Sequence, residues 1–304
     1  MTTDRGCGEF GRVVVGVDGS DSARHAAVWA AREAEARDAP LTVLHACGAA
    51  EGPQAADAKA LVESVAAEVR DLYPELAVET ELSPLAPVER LLELGGKGAL
   101  IVTGTRGRGG FAGTLLGSVS RPLAGHCHGA RVVVRGPQAA QEEGPVVLGV
   151  APEPADGAVE FAFAAAQHYG TSVRAVRAHI PCPAVPQAPM LMPAGLGLRG
   201  YRPPLADRVR EQQAQAVRDQ TAEREVGEAG LAIAAARDRY PDVKVSVTAA
   251  EGNPAQILTA AGERARLVVI GAPHHHRRIP VGAVAGHVAG KLLAHCPAPV
   301  AVVA

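Results

Sequence analysis

The residues best placed to do chemistry are Gly104-Thr105-Arg106-Gly107, followed nine positions later by Gly117-Ser118. Glycines let a backbone approach phosphate oxygens with no Cβ in the way. Backbone N–H groups at a helix start point at an anion, and the helix dipole assists them. Ser118 and Ser120 add hydroxyl donors, Arg106 and Arg108 add positive charge, and Gly109, Gly110 and Gly113 keep the loop flexible. The chemistry is phosphate binding. No Lys-Ser/Thr follows, so this is not a Walker loop, and no GxGxxG follows the first apolar run. Asp18 is the other candidate. It either caps the next helix or faces the same ligand, and its place on one rim with Gly104, Gly107 and Gly117 favours the ligand.

The elements that must position these residues alternate between strand and helix. Val13 to Val17 is a continuous β-branched run, the pattern of a strand buried on both faces. An Ala-rich amphipathic helix is predicted from Asp21 to Arg37, ended by Pro40. Strands follow at Leu41 to Ala46, Leu76 to Leu82, Leu100 to Thr103 and Arg131 to Val134. Helices are predicted at Ala55 to Leu72, Pro87 to Leu94 and Ser118 to Cys127. Strands separated by helices pair in parallel, and in an open parallel sheet ligands sit outside the carboxyl ends of the strands. Gly104 ends a strand and Gly117-Ser118 opens a helix, so both belong to that rim.

The pattern occurs twice. Arg12 to Ser20 (RVVVGVDGS) returns as Pro145 to Glu153 (PVVLGVAPE), and Asp71 to Pro74 (DLYP) as Asp238 to Pro241 (DRYP). Ala99 to Gly104 (ALIVTG) returns as Arg266 to Gly271 (RLVVIG), and Gly125 to Val134 as Ala294 to Val303. Four matches in one order mark a tandem repeat. Gly136 to Gly144 (GPQAAQEEG) has linker chemistry, which gives domains at 1–136 and 145–304. The expected fold is α/β, with two Rossmann-like domains, each a five-stranded parallel doubly wound sheet carrying about four helices.

Composition excludes several classes. A net charge of -2 with 20% charged residues offers no electrostatic grip on nucleic acid. No run of roughly 18 apolar residues appears, and the polar, Gly-rich start reads neither as a signal peptide nor as a membrane span. The five cysteines (Cys7, Cys47, Cys127, Cys182 and Cys296) are scattered and lack CxxC spacing, which suits a reduced, cytoplasmic setting without zinc.

The motif G-x2-G-x9-G-S, with an Asp closing the first strand, resembles the ATP-binding subgroup of the universal stress protein family. The similarity covers nearly all of each half, including VGVDGS at Val15 to Ser20 and LHA at Leu44 to Ala46. It implies an adenine nucleotide alpha hydrolase-like fold and ATP as ligand, alone or with Mg2+. Gly16, Val17 and Asp18 then line the ribose and adenine end, and the backbone of Ala46 contacts adenine. Thr103, Gly104, Gly107, Gly117, Ser118, Val119 and Ser120 match phosphate-contacting positions. Arg106 stands where the family varies. Single-domain relatives dimerise through their last strands, so Arg131 to Val134 and Val300 to Val303 are expected to pair within one chain as a pseudo-dimer. A homodimer of such chains is a further expectation.

The second half departs from the motif at three places together. Ala151 stands for Asp18, His274 for Gly107 and His287 for Ser118, although Gly271 keeps the place of Gly104. ATP binding in the family manner is not expected there. The run His274 to Arg278 reads as a solvated loop, because adjacent residues do not easily face one ion. The insertion Pro181 to Pro204 reads equally as a lid, an interaction loop or a spacer. His45 and His179 recur at matching strand ends, as do His126 and His295 beside Cys127 and Cys296, and all read as structural. No catalytic constellation is visible. Three functions stay open: a regulatory ATP-binding protein with a protein partner not identified by the sequence, a slow ATPase or autophosphorylating protein, and a scaffold without nucleotide.

Overall fold

The computed structural model describes residues 10–48, 53–107, 117–125, 129–136, 143–180, 204–272 and 286–304. The expectations for Arg108, Gly109, Gly110 and Gly113, for His126 and Cys127, for the middle of the linker, for 181–203 and for His274 to Arg278 therefore lie outside the described residues.

The first half runs β1 (Arg12–Gly16), α1 (Asp21–Ala36), β2 (Leu41–Ala46), α2 (Pro53–Leu72), β3 (Val78–Ser83), α3 (Pro87–Gly96), β4 (Ala99–Gly104), α4 (Ser120–Gly125) and β5 (Ala130–Val134). The second runs β6 (Val146–Gly149), α5 (Asp156–Tyr169), β7 (Val173–His179), α6 (Pro204–Ala232), α7 (Ala234–Arg239), β8 (Val245–Glu251), α8 (Pro254–Gly262), β9 (Leu267–Gly271), α9 (His287–His295) and β10 (Val300–Val303). The second half thus has five described helices where about four were expected. Ile233, fully buried, leaves the helical region at ψ 3° and turns its side chain into the core, which divides α6 from α7.

All ten strands form one sheet in the order β3-β2-β1-β4-β5-β10-β9-β6-β7-β8. Every pairing within a half is parallel, and the two halves meet where β5 and β10 pair antiparallel, Val300 opposite Val133 and Val303 opposite Ala130. The expected pairing of the last strands is therefore present inside the chain. Its antiparallel sense places the carboxyl rims of the two halves on opposite edges of the sheet.

Alternation along the strands divides the core into layers. Val13 and Val15 face a cluster built with α1, α2, α5, α6 and α7 that runs across both halves. Val14 faces a separate cluster with Leu91 and Leu94 of α3 and Leu123 of α4. The matching face of the second half is filled by α8 and α9, among them Leu258 and Leu292.

Where α1 and α5 adjoin, the core becomes polar. Glu33 and Arg37, both almost fully buried, pair at 2.6 Å, and Tyr169 donates to the same carboxylate. Arg37 lies over the rings of Phe10 and Phe161, and Arg266 sits 3.9 Å from the Tyr169 ring centroid. Burial first, and then the Glu33 charge, push the Tyr169 hydroxyl well above its ordinary pKa, so it stays a donor.

Candidate functional site

β1 is flanked by β2 on one side and β4 on the other, with Gly16 level with both Leu44 and Thr103. The sheet winds outward from this point, and the diverging connections leave a crevice beyond the strand ends. A cleft of about 360 Å³ opens there, within the range of about 300–1,000 Å³ usual for small-molecule sites. Gly16, Val17 and Asp18 reach it from the end of β1, and Ala46 from β2. Thr103, Gly104, Arg106 and Gly107 reach it from β4 and its loop, and Gly117, Ser118, Val119 and Ser120 from the approach to α4. The fold thus brings every candidate among the described residues to one cleft.

Asp18 is held for that position and is not the cap of α1. Ser20 is the cap: its Oγ accepts from the Ala23 N–H at 3.2 Å. The Ser20 hydroxyl and N–H in turn donate to Asp18 Oδ1, at 2.7 and 3.1 Å. The second carboxylate oxygen faces the loop, where a Cβ on Gly107 would lie 2.2 Å from it. Gly104 is as tightly placed, since a Cβ there would fall 2.5–2.7 Å from Ser22 Oγ, O and C in the first turn of α1. At Gly104 the obstacle is backbone, so glycine is needed for space; at Gly107 it is the tip of the Asp18 side chain, which a Cβ would displace.

The far wall differs from expectation in one respect. Gly117 N–H donates to Thr105 O at 2.8 Å, which folds the loop back on itself. Helix α4 begins at Ser120, two residues later than predicted, because Ser118 and Val119 form the turn that leads into it. The buried Ser120 hydroxyl donates to Gly104 O at 2.7 Å, so its proton ties α4 to β4 and does not face the cleft. The N–H groups of Ser118 and Val119 have no acceptor among the described residues.

Six further residues line the cleft that the motif does not contain: Ala23, Leu44, His45, Pro87, Leu91 and Arg121. Leu44, Pro87 and Leu91 make one end apolar, while Arg106, Arg121 and the glycine loop make the other polar. His45 Nδ1 lies 2.6 Å from Val17 O and so must carry the proton it donates there. That bond fixes the strand ends on either side of the base of the cleft. It agrees with the structural role expected for His45, although the ring also forms part of the wall.

The family model of the universal stress proteins matches residues 9–135 and again 144–304. The chain belongs to the universal stress protein family. A universal stress protein of Mycolicibacterium smegmatis is 31% identical over 316 residues, covering 97% of both chains. One from Mycobacterium tuberculosis (strain H37Rv) is likewise 31% identical, over 95% of this chain and 96% of its own. Among solved structures, a universal stress protein from Archaeoglobus fulgidus superposes with a TM-score of 0.61 at 15% identity, covering 96% of this chain and 98% of that one. The tandem arrangement therefore extends through whole relatives.

The second universal stress protein half has a different cleft at the matching place. It measures about 200 Å³ and is bounded by Gly149, Val150, Ala151, Pro154, Ala155 and Ala272, among others. Ala151 brings no carboxylate, and Ala155, the cap position of α5, offers no side-chain acceptor. The approach of helix to strand is looser too: a Cβ on Gly271 would meet Ala155 Cβ at 3.2 Å, against 2.5 Å for Gly104 and Ser22. His179 Nδ1 is buried with no partner among the described residues, so the recurring histidine does not repeat the bond of His45. His287 is the first residue of α9, after the cap Gly286. Among the described residues no three potential metal ligands cluster, and no helix is long and apolar enough to cross a membrane.

Proposed function

We propose that the first half binds ATP in this cleft and that the chain is a cytoplasmic, regulatory ATP-binding protein of the stress response. The observation that carries the reading is the division of one crevice into an apolar end and a glycine-lined, cationic end. A nucleotide has the same division, a flat base at one end and phosphates at the other. In this reading the base lies against Leu44, Ala46, Pro87 and Leu91, and the ribose hydroxyls donate to Asp18. The phosphates accept from the amides of Gly107, Ser118 and Val119. The crowding at Gly107 supports it, since a Cβ there would run into the Asp18 carboxylate that faces the cleft. Mg2+ would travel on the phosphate oxygens, with Asp18 the single carboxylate among the residues lining the cleft.

We read the chain as a binding protein and not an enzyme. The side chains lining the cleft give little support to a general base at the phosphate end: His45 is tied to Val17 O, and Ser120 to Gly104 O. Nucleotide occupancy then acts by changing which partner protein the chain engages, and two chains pair as a homodimer. Denaturing purified protein and identifying any released nucleotide tests the ligand. Equilibrium dialysis adds the site: Asp18→Ala is expected to weaken ATP about tenfold or more. Absence of binding by the unmodified chain at millimolar ATP refutes the reading. Single-turnover hydrolysis abolished by Asp18→Ala would replace it with the ATPase.

A further inference from the structure

Among the described residues, two arginines stand at the polar end of the cleft, and one of them lies outside the loop motif. Arg121, in the first turn of α4, lines the same wall as Arg106, and both side chains are exposed. Neither guanidinium has a carboxylate partner among the described residues. A cation in the first turn of a helix is opposed by the backbone dipole, so the position of Arg121 has no local stabilising account. The positive field extends further back. Arg135, just beyond β5, has its pKa lowered by burial and by the charge of Arg106, while it donates to the carbonyl oxygens of Leu293 and Ala294. Against these cations the wall of the cleft offers one carboxylate, Asp18.

We infer that Arg121, together with Arg106, selects the number of phosphates on the nucleotide, so that the cleft prefers a nucleoside triphosphate to the corresponding monophosphate. The inference rests on the nucleotide reading above and adds a specificity residue to it. The base and ribose contacts are the same for AMP, ADP and ATP; only the added phosphates extend toward the polar end. A guanidinium presents a planar fork of donors matched to phosphate oxygens and keeps its charge at any working pH. Each added phosphate therefore gains a partner that the monophosphate does not use, and the gain falls with ionic strength because both arginines are solvent-exposed.

The test is calorimetric titration of the full chain with ATP, ADP and AMP, in excess magnesium chloride at fixed ionic strength. The unmodified chain is expected to bind ATP about tenfold or more tightly than AMP. Arg121→Gln is expected to weaken ATP by about tenfold while changing AMP less than about twofold, and Arg121→Lys, which keeps the charge but not the planar fork, to restore only part of the loss. Equal weakening of ATP and AMP would show a merely structural role and overturn the inference, as would unchanged binding of both. Failure of the unmodified chain to bind any adenine nucleotide would instead remove the nucleotide reading itself.

Discussion

Gly104 and Gly271 end the same strand in the two halves, and the structure assigns them unequal tolerance for one methyl group. Neither adopts a positive φ, so replacement by alanine is a question of room. At Gly104 the new Cβ would stand 2.5 Å from Ser22 Oγ, 2.6 Å from Ser22 O and 2.7 Å from Ser22 C. Two of those atoms are backbone in the first turn of α1, so relief requires moving that turn by most of an ångström. Overpacking of this kind costs about 1–3 kcal/mol. At Gly271 the nearest atom is Ala155 Cβ at 3.2 Å, then Ala155 N at 3.5 Å, and a shift of a few tenths of an ångström suffices. The lower chain entropy of the unfolded alanine variant returns about 0.4–1 kcal/mol, so Gly271→Ala should be close to neutral. Urea unfolding followed by far-ultraviolet circular dichroism measures both. Gly104→Ala should lower the midpoint, with a Tm loss of about 2–4 °C per kcal/mol, and Gly271→Ala should leave it almost unchanged. Equal losses, or a larger loss at Gly271, would refute the claim that helix and strand approach more closely in the first half.

Other outcomes follow from single contacts. Burial raises the Cys296 thiol from 9.0 to about 11, so the fold holds the neutral form. Its contribution is full below the unfolded pKa and is lost between pH 9 and 11, about 2–3 kcal/mol in all; the unfolding free energy should slope downward there, and Cys296→Ala should flatten the slope. Tyr169→Phe removes one donor to the buried Glu33 and should cost about 1–3 kcal/mol, whereas Glu33→Ala removes the carboxylate of a buried ion pair with Arg37 and should cost about 3–5 kcal/mol, both read from urea midpoints. Ser120→Ala should cost about 1 kcal/mol, and mass spectrometry after incubation with ATP should find no phosphate on Ser120.

Much of this was legible because the buried strands are written in one residue class. Val13 to Val15, Leu100 to Val102 and Val300 to Val303 leave no face for water, and the repeat then supplies the topology. The rim positions could be read as well, since glycines with fixed spacing and an Asp at a strand end leave a direct trace. The rest of the cleft was not legible. Pro87 and Leu91 reach it because α3 crosses that face of the sheet, and crossing geometry is not encoded in local spacing. Arg121 follows the motif by three residues and reads as an ordinary surface arginine until α4 is turned toward the loop. The role of Asp18 was ambiguous for a similar reason: an Asp there suits either the cap of α1 or the ligand, and only the Ala23 N–H bond to Ser20 Oγ assigns the cap elsewhere. The break at Ile233 depends on the core beneath it.

The antiparallel seam between β5 and β10 has a consequence for assembly. Each half contributes an edge whose main-chain groups complement a like edge. In separate domains that pairing would depend on concentration and come apart on dilution. Joined by a short tether, the two edges meet at an effective concentration on the order of millimolar, so the pair persists however dilute the chain becomes. The remaining edges are β3 and β8, at the two ends of the sheet, and β3 carries Glu79 and Glu81, charges that discourage another strand from adding there. Fusion also frees the halves from enforced symmetry: a substitution in one is not copied into the other, which lets a single chain keep one cleft with a carboxylate and a glycine cradle beside another without them.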